Sequence, residues 1–132
     1  AADMATEYPS FEQFAEGFLL TRDGMIWFAD HYAADIAHVR SSPLAGDLAD
    51  MPPAVIVTAS LDPIRDQGRA YAAALAQAGV PVSFREAKGN IHGFVNLRQA
   101  VPSSAVDVAG YLAALKAVIA EAEGARAGAA AG

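Results

Sequence analysis

The sequence predicts an α/β fold on parallel strands, and three observations carry that expectation. Ala54-Val55-Ile56-Val57-Thr58-Ala59-Ser60 is a near-continuous apolar run between Pro-Pro and Asp-Pro. A strand without strict alternation is one covered on both faces, as in parallel sheets. Ala70, Tyr71, Ala74, Leu75 and Ala78 then recur at helical spacing and stop at Gly79, a natural residue just past a helix end. Val80, Val82 and Phe84 alternate with Pro81, Ser83 and Arg85, which describes a strand with one wet face and, because of the proline, an edge position. Strand, helix, strand is one βαβ unit. Two strands make a poor doubly covered sheet, so further strands are expected from an N-terminal segment and the fold is incomplete without it; the alternative is a self-sufficient two-stranded α+β domain.

Ahead of this unit, Ser10 with Gln13 fits a capping box for a short helix over residues 11–16. Thr21 suits the N-cap of a longer helix running to about Ala34. On it Met25, Ile26, Phe28, Ala29, Tyr32 and Ala33 recur at helical spacing beside the only tryptophan, Trp27. A helix apolar over more than one face is buried or roofs an apolar pocket. Arg40 to Pro53 is a loop rich in Ser, Pro, Gly and Asp. After the second strand, a last helix over about Ser104–Ala120 is expected to bury Val108, Tyr111, Leu112, Leu115, Val118 and Ile119. The expected organisation is connecting and cap helices over 1–40, a βαβα core over 41–120, and a disordered Ala/Gly tail over 121–132.

Composition narrows the classes of function. The chain of 132 residues is 54% hydrophobic and 18% charged, which suits a globular domain rather than disorder. Net charge is −6 and no Lys/Arg cluster occurs, so neither nucleic acid nor an anionic membrane is an expected partner. No run approaches the ~18 apolar residues of a membrane span. Absence of cysteine excludes a disulfide framework, a thiolate metal site and a cysteine nucleophile, and it is compatible with the expected cytoplasmic location. Ala1-Ala2-Asp3 carries neither an initiator methionine nor a signal-peptide pattern, so the chain reads as the C-terminal part of something longer.

The chemistry sits in Asp62-Pro63-Ile64-Arg65-Asp66-Gln67-Gly68 and Ile91-His92-Gly93-Phe94. In parallel sheets ligands gather beyond the carboxyl ends of the strands. Asp62 and His92 each follow a predicted strand, and neighbouring strands lie about 4.8 Å apart, so a carboxylate on one loop reaches an imidazole on the next. Such an acid fixes the ring's tautomer and stabilises the imidazolium that forms when the histidine takes a proton. The competing readings are that Asp62 is a turn or cap residue and His92 a turn histidine. Asp66 suits a cap at the start of the helix. His31 and His38 lie seven apart but lack further donors at ligand spacing beyond Asp30 and Asp35, so no metal is expected, and no cofactor. No serine among Ser10, Ser41, Ser42, Ser60, Ser83, Ser103 and Ser104 lies in G-x-S-x-G, and no H-G-G-G run supplies oxyanion donors.

Taken in order, these segments resemble the C-terminal portion of the bacterial hormone-sensitive-lipase-like carboxylesterases, an α/β-hydrolase family. The resemblance runs from about Tyr8 to Ile119. It is carried by Gly17-Phe18-Leu19-Leu20-Thr21, Trp27-Phe28-Ala29-Asp30-His31-Tyr32, Ser42-Pro43-Leu44, Met51-Pro52-Pro53-Ala54, Ala78-Gly79-Val80 and the two segments above. It implies an α/β fold comprising the last two parallel strands of an eight-stranded sheet, flanking helices and part of a cap. It further implies Asp62 and His92 as the acid and base of a Ser-Asp-His triad, and an acyl pocket under the stretch Phe18–Tyr32 with Phe18, Leu20, Ile91 and Phe94 at its wall. A small short-chain ester is the implied substrate, without metal or organic cofactor, and a homodimer through the edge strand Val80–Phe84 is the implied assembly. Ile64 and Gln67 depart mildly from the family's usual Leu and Glu. The nucleophile and oxyanion segments would lie upstream of Ala1, so the chain alone is not expected to form an acyl-enzyme. The alternative is an inert hydrolase half that acts as an interaction or self-assembly module; an unrelated α/β ligand-binding domain would show no Asp62–His92 contact.

Overall fold

The computed structural model describes residues 1–130. In chain order it contains α1 (Pro9–Gln13), α2 (Arg22–Tyr32), a 3₁₀ turn (Pro43–Ala45), β1 (Ala54–Leu61), α3 (Arg65–Gln77), β2 (Val82–Ile91) and α4 (Ser104–Ala130). β1 and β2 pair in parallel, starting at Ala54↔Val82. Alternate residues of β1 face opposite ways, and each face is covered. On one, Ala54 and Ile56 pack with Tyr71, Ala74 and Leu75 of α3. On the other, Val57 and Ala59 pack with Ala87, Phe94 and Val108 of α4. A strand dressed on both sides is what the apolar run demanded.

Local signals place the helix ends. Thr21 accepts the Gly24 amide at 3.1 Å and caps α2. α3 ends in a Schellman motif: the Gly79 amide donates to Ala76 O at 3.1 Å and the Val80 amide to Leu75 O at 3.0 Å, with Gly79 at φ +85°. Val80 and Leu75 then meet in one apolar cluster. Gly68 lets α3 lie close to β1, because a Cβ there would come within 2.6 Å of the Thr58 methyl.

Several expectations are corrected. α1 is capped at Tyr8 without a side-chain bond, so Ser10 and Gln13 form no capping box; Ser10 lies inside the helix and is fully buried. β2 begins after Pro81 and runs to Ile91, well past the predicted Val80–Phe84; Pro81 stays outside and offers only its carbonyl, to Ala54 N at 2.9 Å. α4 continues to Ala130, so residues 121–130 of the expected tail are helical, in keeping with the high helix propensity of alanine; residues 131 and 132 lie outside the described residues. Leu112, Leu115 and Ile119 are exposed rather than buried, because the two strands are too narrow to cover more of α4 than the stripe through Val108, Tyr111 and Val118. No helix is long and apolar enough to cross a membrane among the described residues.

Candidate functional site

Parallel pairing delivers both strand ends to one rim. Asp62 follows directly on β1 and His92 directly on β2. Asp62 Oδ2 lies 2.9 Å from His92 Nδ1. The other carboxylate oxygen accepts the Ile64 amide at 3.0 Å, and the Asp62 carbonyl accepts the Arg65 amide at 3.0 Å as α3 begins. These bonds make an Asx turn around Pro63, which aims the acid before any histidine is present. Asp62 is therefore a turn residue as well as a histidine partner; the two readings merge.

The histidine is held from its other side. Gly93 adopts φ +75°, which a side chain would resist, and turns the chain so that Phe94 enters the core beside Ala59 and Ala87. Asp62 is buried, whereas the His92 side chain remains 41% exposed. A carboxylate can only accept, so neutral His92 carries its proton on Nδ1 and presents a lone pair on Nε2. Nε2 has no hydrogen-bond partner among the described residues. The hydrogen bond that Nδ1–H donates to Asp62 raises the histidine's pKa above its ordinary 6.5, against the lowering effect of partial burial.

His92 borders two hollows. One, of about 370 Å³, touches Val57, Thr58, Ala59, Asp62 and Tyr71. Val57 and Thr58 point to opposite faces, so this hollow follows the edge of β1 that β2 does not occupy. The second, of about 640 Å³, lies between His92 and the apolar residues Leu20, Met25, Ile26, Phe28 and Tyr32 of the α2 region. α2 contains no buried residue and roofs this cavity, one of the two arrangements its sequence allowed.

Of the four residues expected at the pocket wall, Leu20 lines the cavity with His92. Phe94 lines the smaller hollow beside His92, and Phe18 and Ile91 line neither hollow. Phe18 stands edge-on to Phe14 with ring centres 5.2 Å apart. Ile91 is paired with Leu61 inside the sheet. Phe94 is a core residue at the floor of the smaller hollow. Neighbours of His92 in sequence are spent on fixing it.

Asp66 does not cap its own helix. It accepts the Ser10 amide at 3.0 Å, an open donor of α1, while Ser10 Oγ accepts the Asp66 amide at 3.1 Å and donates to Pro63 O at 2.8 Å. The two helix starts cap one another. Arg65 and Arg69 also bind this carboxylate, and its pKa lies below the usual carboxylate value, chiefly through the hydrogen bond from Arg65. Gln67, marked in sequence only for its missing charge, is buried and accepts the Ala2 and Asp3 amides at 2.6 and 3.2 Å. An acid at this position would make charged acceptors of the same bonds; nothing in the sequence pattern pointed to its partners. His31 stacks on Trp27 with Nδ1 at 2.7 Å from Trp27 O, and His38 accepts the Arg40 amide at 3.1 Å. No group of three or more His, Cys, Asp or Glu suited to a metal occurs among the described residues.

A family profile described as alpha/beta hydrolase fold matches residues 1–96. The chain is 39% identical over 120 residues to the carboxylic ester hydrolase LipN of Mycobacterium tuberculosis, covering 87% of this chain and 32% of that protein. It is 38% identical over 99 residues to the ethyl acetate hydrolase of Pseudomonas putida, covering 72% and 31% respectively. Among solved structures it is similar to the metagenomic carboxylesterase EstE1, with TM-score 0.81, 29% identity and coverage of 89% of this chain and 42% of that one. A thermostable esterase from Pseudomonas putida ECU1011 superposes with TM-score 0.77 at 35% identity, over 84% of this chain and 37% of that one. The chain thus spans about a third of the length of the curated relatives it matches. With two helix-covered parallel strands, an acid–histidine pair at their common rim and these matches, the chain belongs to the α/β-hydrolase fold family, in its hormone-sensitive-lipase-like branch.

Proposed function

We propose that this chain supplies the acid and the histidine of a serine carboxylesterase acting on short-chain acyl esters. The Asp62–His92 contact at 2.9 Å carries the reading. His92 Nε2 takes the proton of a serine hydroxyl as its oxygen bonds to the ester carbonyl carbon, and returns that proton to the departing alkoxide. Water, deprotonated by the same nitrogen, then bonds to the acyl carbon; the acyl-serine bond breaks, the serine oxygen takes the proton back from Nε2, and the acid is released. Asp62 stays ionised and holds the imidazolium. The serine and the oxyanion donors belong to an N-terminal segment seated along the open edge of β1, where the smaller hollow reaches both Asp62 and His92. The acyl chain occupies the larger cavity, whose wall from Leu20 to Tyr32 is mostly apolar. The outer edge of β2, with Phe84 exposed, suits pairing with a second copy over Val82–Phe84, the part of the expected Val80–Phe84 that lies in the strand.

The test is hydrolysis of p-nitrophenyl acetate and butyrate by the full-length protein and by its His92→Ala variant. Turnover should fall by about 10⁴-fold or more in the variant, the scale of losing a triad base. Retained turnover sinks the reading. A wild-type protein that turns over no ester and self-associates through β2 would instead establish the interaction module.

A further inference from the structure

The two strands do not keep one register to the end. Partners are 28 positions apart from Ala54↔Val82 through Ala59↔Ala87, but 30 apart at Leu61↔Ile91. Two extra residues of β2 are taken up opposite Ser60, over Lys88–Asn90. An even shift leaves every later side chain on its own face, because strand side chains alternate with period two. It also draws the rest of β2 back by about 6.6 Å relative to β1. On the unshifted register Asn90 would face Asp62, and His92 would lie beyond the reach of its carboxylate.

A bulge takes backbone groups out of the ladder, so something else must satisfy them. Gly89 sits in it at φ +72°, and its amide donates to Ser60 Oγ at 2.8 Å. The Ser60 carbonyl is in turn held by Arg65 Nη1 at 3.1 Å. Asn90, almost wholly buried, donates through Nδ2 to Asp107 Oδ2 of α4 at 2.8 Å, which anchors the far side of the bulge. We propose that Ser60 is a positioning residue: its hydroxyl latches the two-residue bulge that brings His92 opposite Asp62. Its kinetic consequence rests on the esterase reading; its structural consequence does not.

The experiment follows the His92 imidazole by NMR titration in the full-length protein, its signal assigned by its loss in His92→Gln, for wild type, Ser60→Ala, Ser60→Thr and Gly89→Ala. No atom lies within 4 Å of a Cβ built on Gly89, so alanine there strains the backbone at positive φ without a clash. In Ser60→Ala and Gly89→Ala the ring should titrate lower than in wild type, because the Asp62 hydrogen bond that raises it is populated less. Ser60→Thr keeps the hydroxyl and should titrate as wild type. With p-nitrophenyl butyrate, kcat of Ser60→Ala should fall about five-fold, the size of one net hydrogen bond, with KM unchanged. Wild-type titration in Ser60→Ala overturns the proposal; where that variant does not fold, wild-type titration in Gly89→Ala does so. A purely stabilising role would lower the folded fraction but leave the titration of folded molecules in place. Absent ester turnover in wild type would count against the esterase reading alone, since the titration still decides the role of Ser60.

Discussion

Replacing Asp62 with asparagine isolates what the acid does for the histidine. The variant keeps the shape of the turn, because an amide oxygen still accepts the Ile64 amide that now lies 3.0 Å from Oδ1. What changes is the other atom. An NH₂ replaces the oxygen 2.9 Å from Nδ1, so a donor faces the ring where an acceptor stood. Neutral His92 then moves its proton to Nε2, the nitrogen that accepts the serine proton in the proposed reaction. Turnover should fall by about 10⁴-fold, the loss seen when this substitution is made in the serine-protease triad. The pH dependence supplies a second, independent measure. Wild-type kcat/KM should rise through a pKa above the histidine's ordinary 6.5, because the Asp62 hydrogen bond holds the proton and only the neutral ring works as base. In the variant the residual activity should rise at lower pH. The assay is kcat/KM for p-nitrophenyl butyrate across pH, with imidazole nitrogen chemical shifts reporting the tautomer. Turnover within ten-fold of wild type, or an unmoved acid limb, would refute the reasoning.

Stability follows the same titration with the opposite preference. His92 binds its proton more tightly folded than unfolded, so the stabilisation from the ion pair is fully present below about pH 6.5 and is lost as pH rises through the raised folded value. The stability gap between wild type and His92→Gln in urea should therefore narrow from pH 6 to pH 9. Gly68→Ala should lower stability by about 1–3 kcal/mol, since its methyl meets the Thr58 methyl at 2.6 Å; adding Thr58→Ser should recover most of the loss. Ser10→Ala and Asp66→Ala should each cost about 1–2 kcal/mol, and a double-mutant cycle should show strong coupling, since each side chain caps the other's helix. Independent, additive losses would contradict the reciprocal caps. Met25→Trp fills part of the larger cavity, so relative kcat/KM should fall about four-fold for each acyl methylene that no longer fits, measured over a series of p-nitrophenyl esters.

How much of this was legible depended on punctuation. β1 was readable to within a residue because Pro52-Pro53 and Asp62-Pro63 bracket it and its apolar run has no other use in a covered sheet. The end of α3 was equally plain, since only a residue free to take positive φ closes a Schellman turn. β2 was half hidden. Glu86, Lys88, Gly89 and Asn90 look like loop, and their extended conformation comes from pairing with β1, which no local pattern encodes. The register shift hid for the same reason, although it decides which residue faces Asp62. The pair Asp62 and His92 was legible because chemistry and strand ends coincided. The pocket wall was legible only in part: alternation along the strand sends Ile91 into the sheet, while the turn at Gly93 sends Phe94 into the core at the floor of the smaller hollow.

The clasp between Ser10 and the start of α3 reaches one residue further than helix capping requires. Ser10 Oγ also holds Pro63 O, the peptide adjoining Asp62. The arm that carries the roof of the cavity is thereby pinned to the loop that aims the acid, so roof and acid share one mechanical footing. A graft that exchanges the roof between relatives must carry the residues at 10 and 66 together; a roof moved without its clasp would arrive with a misaimed carboxylate.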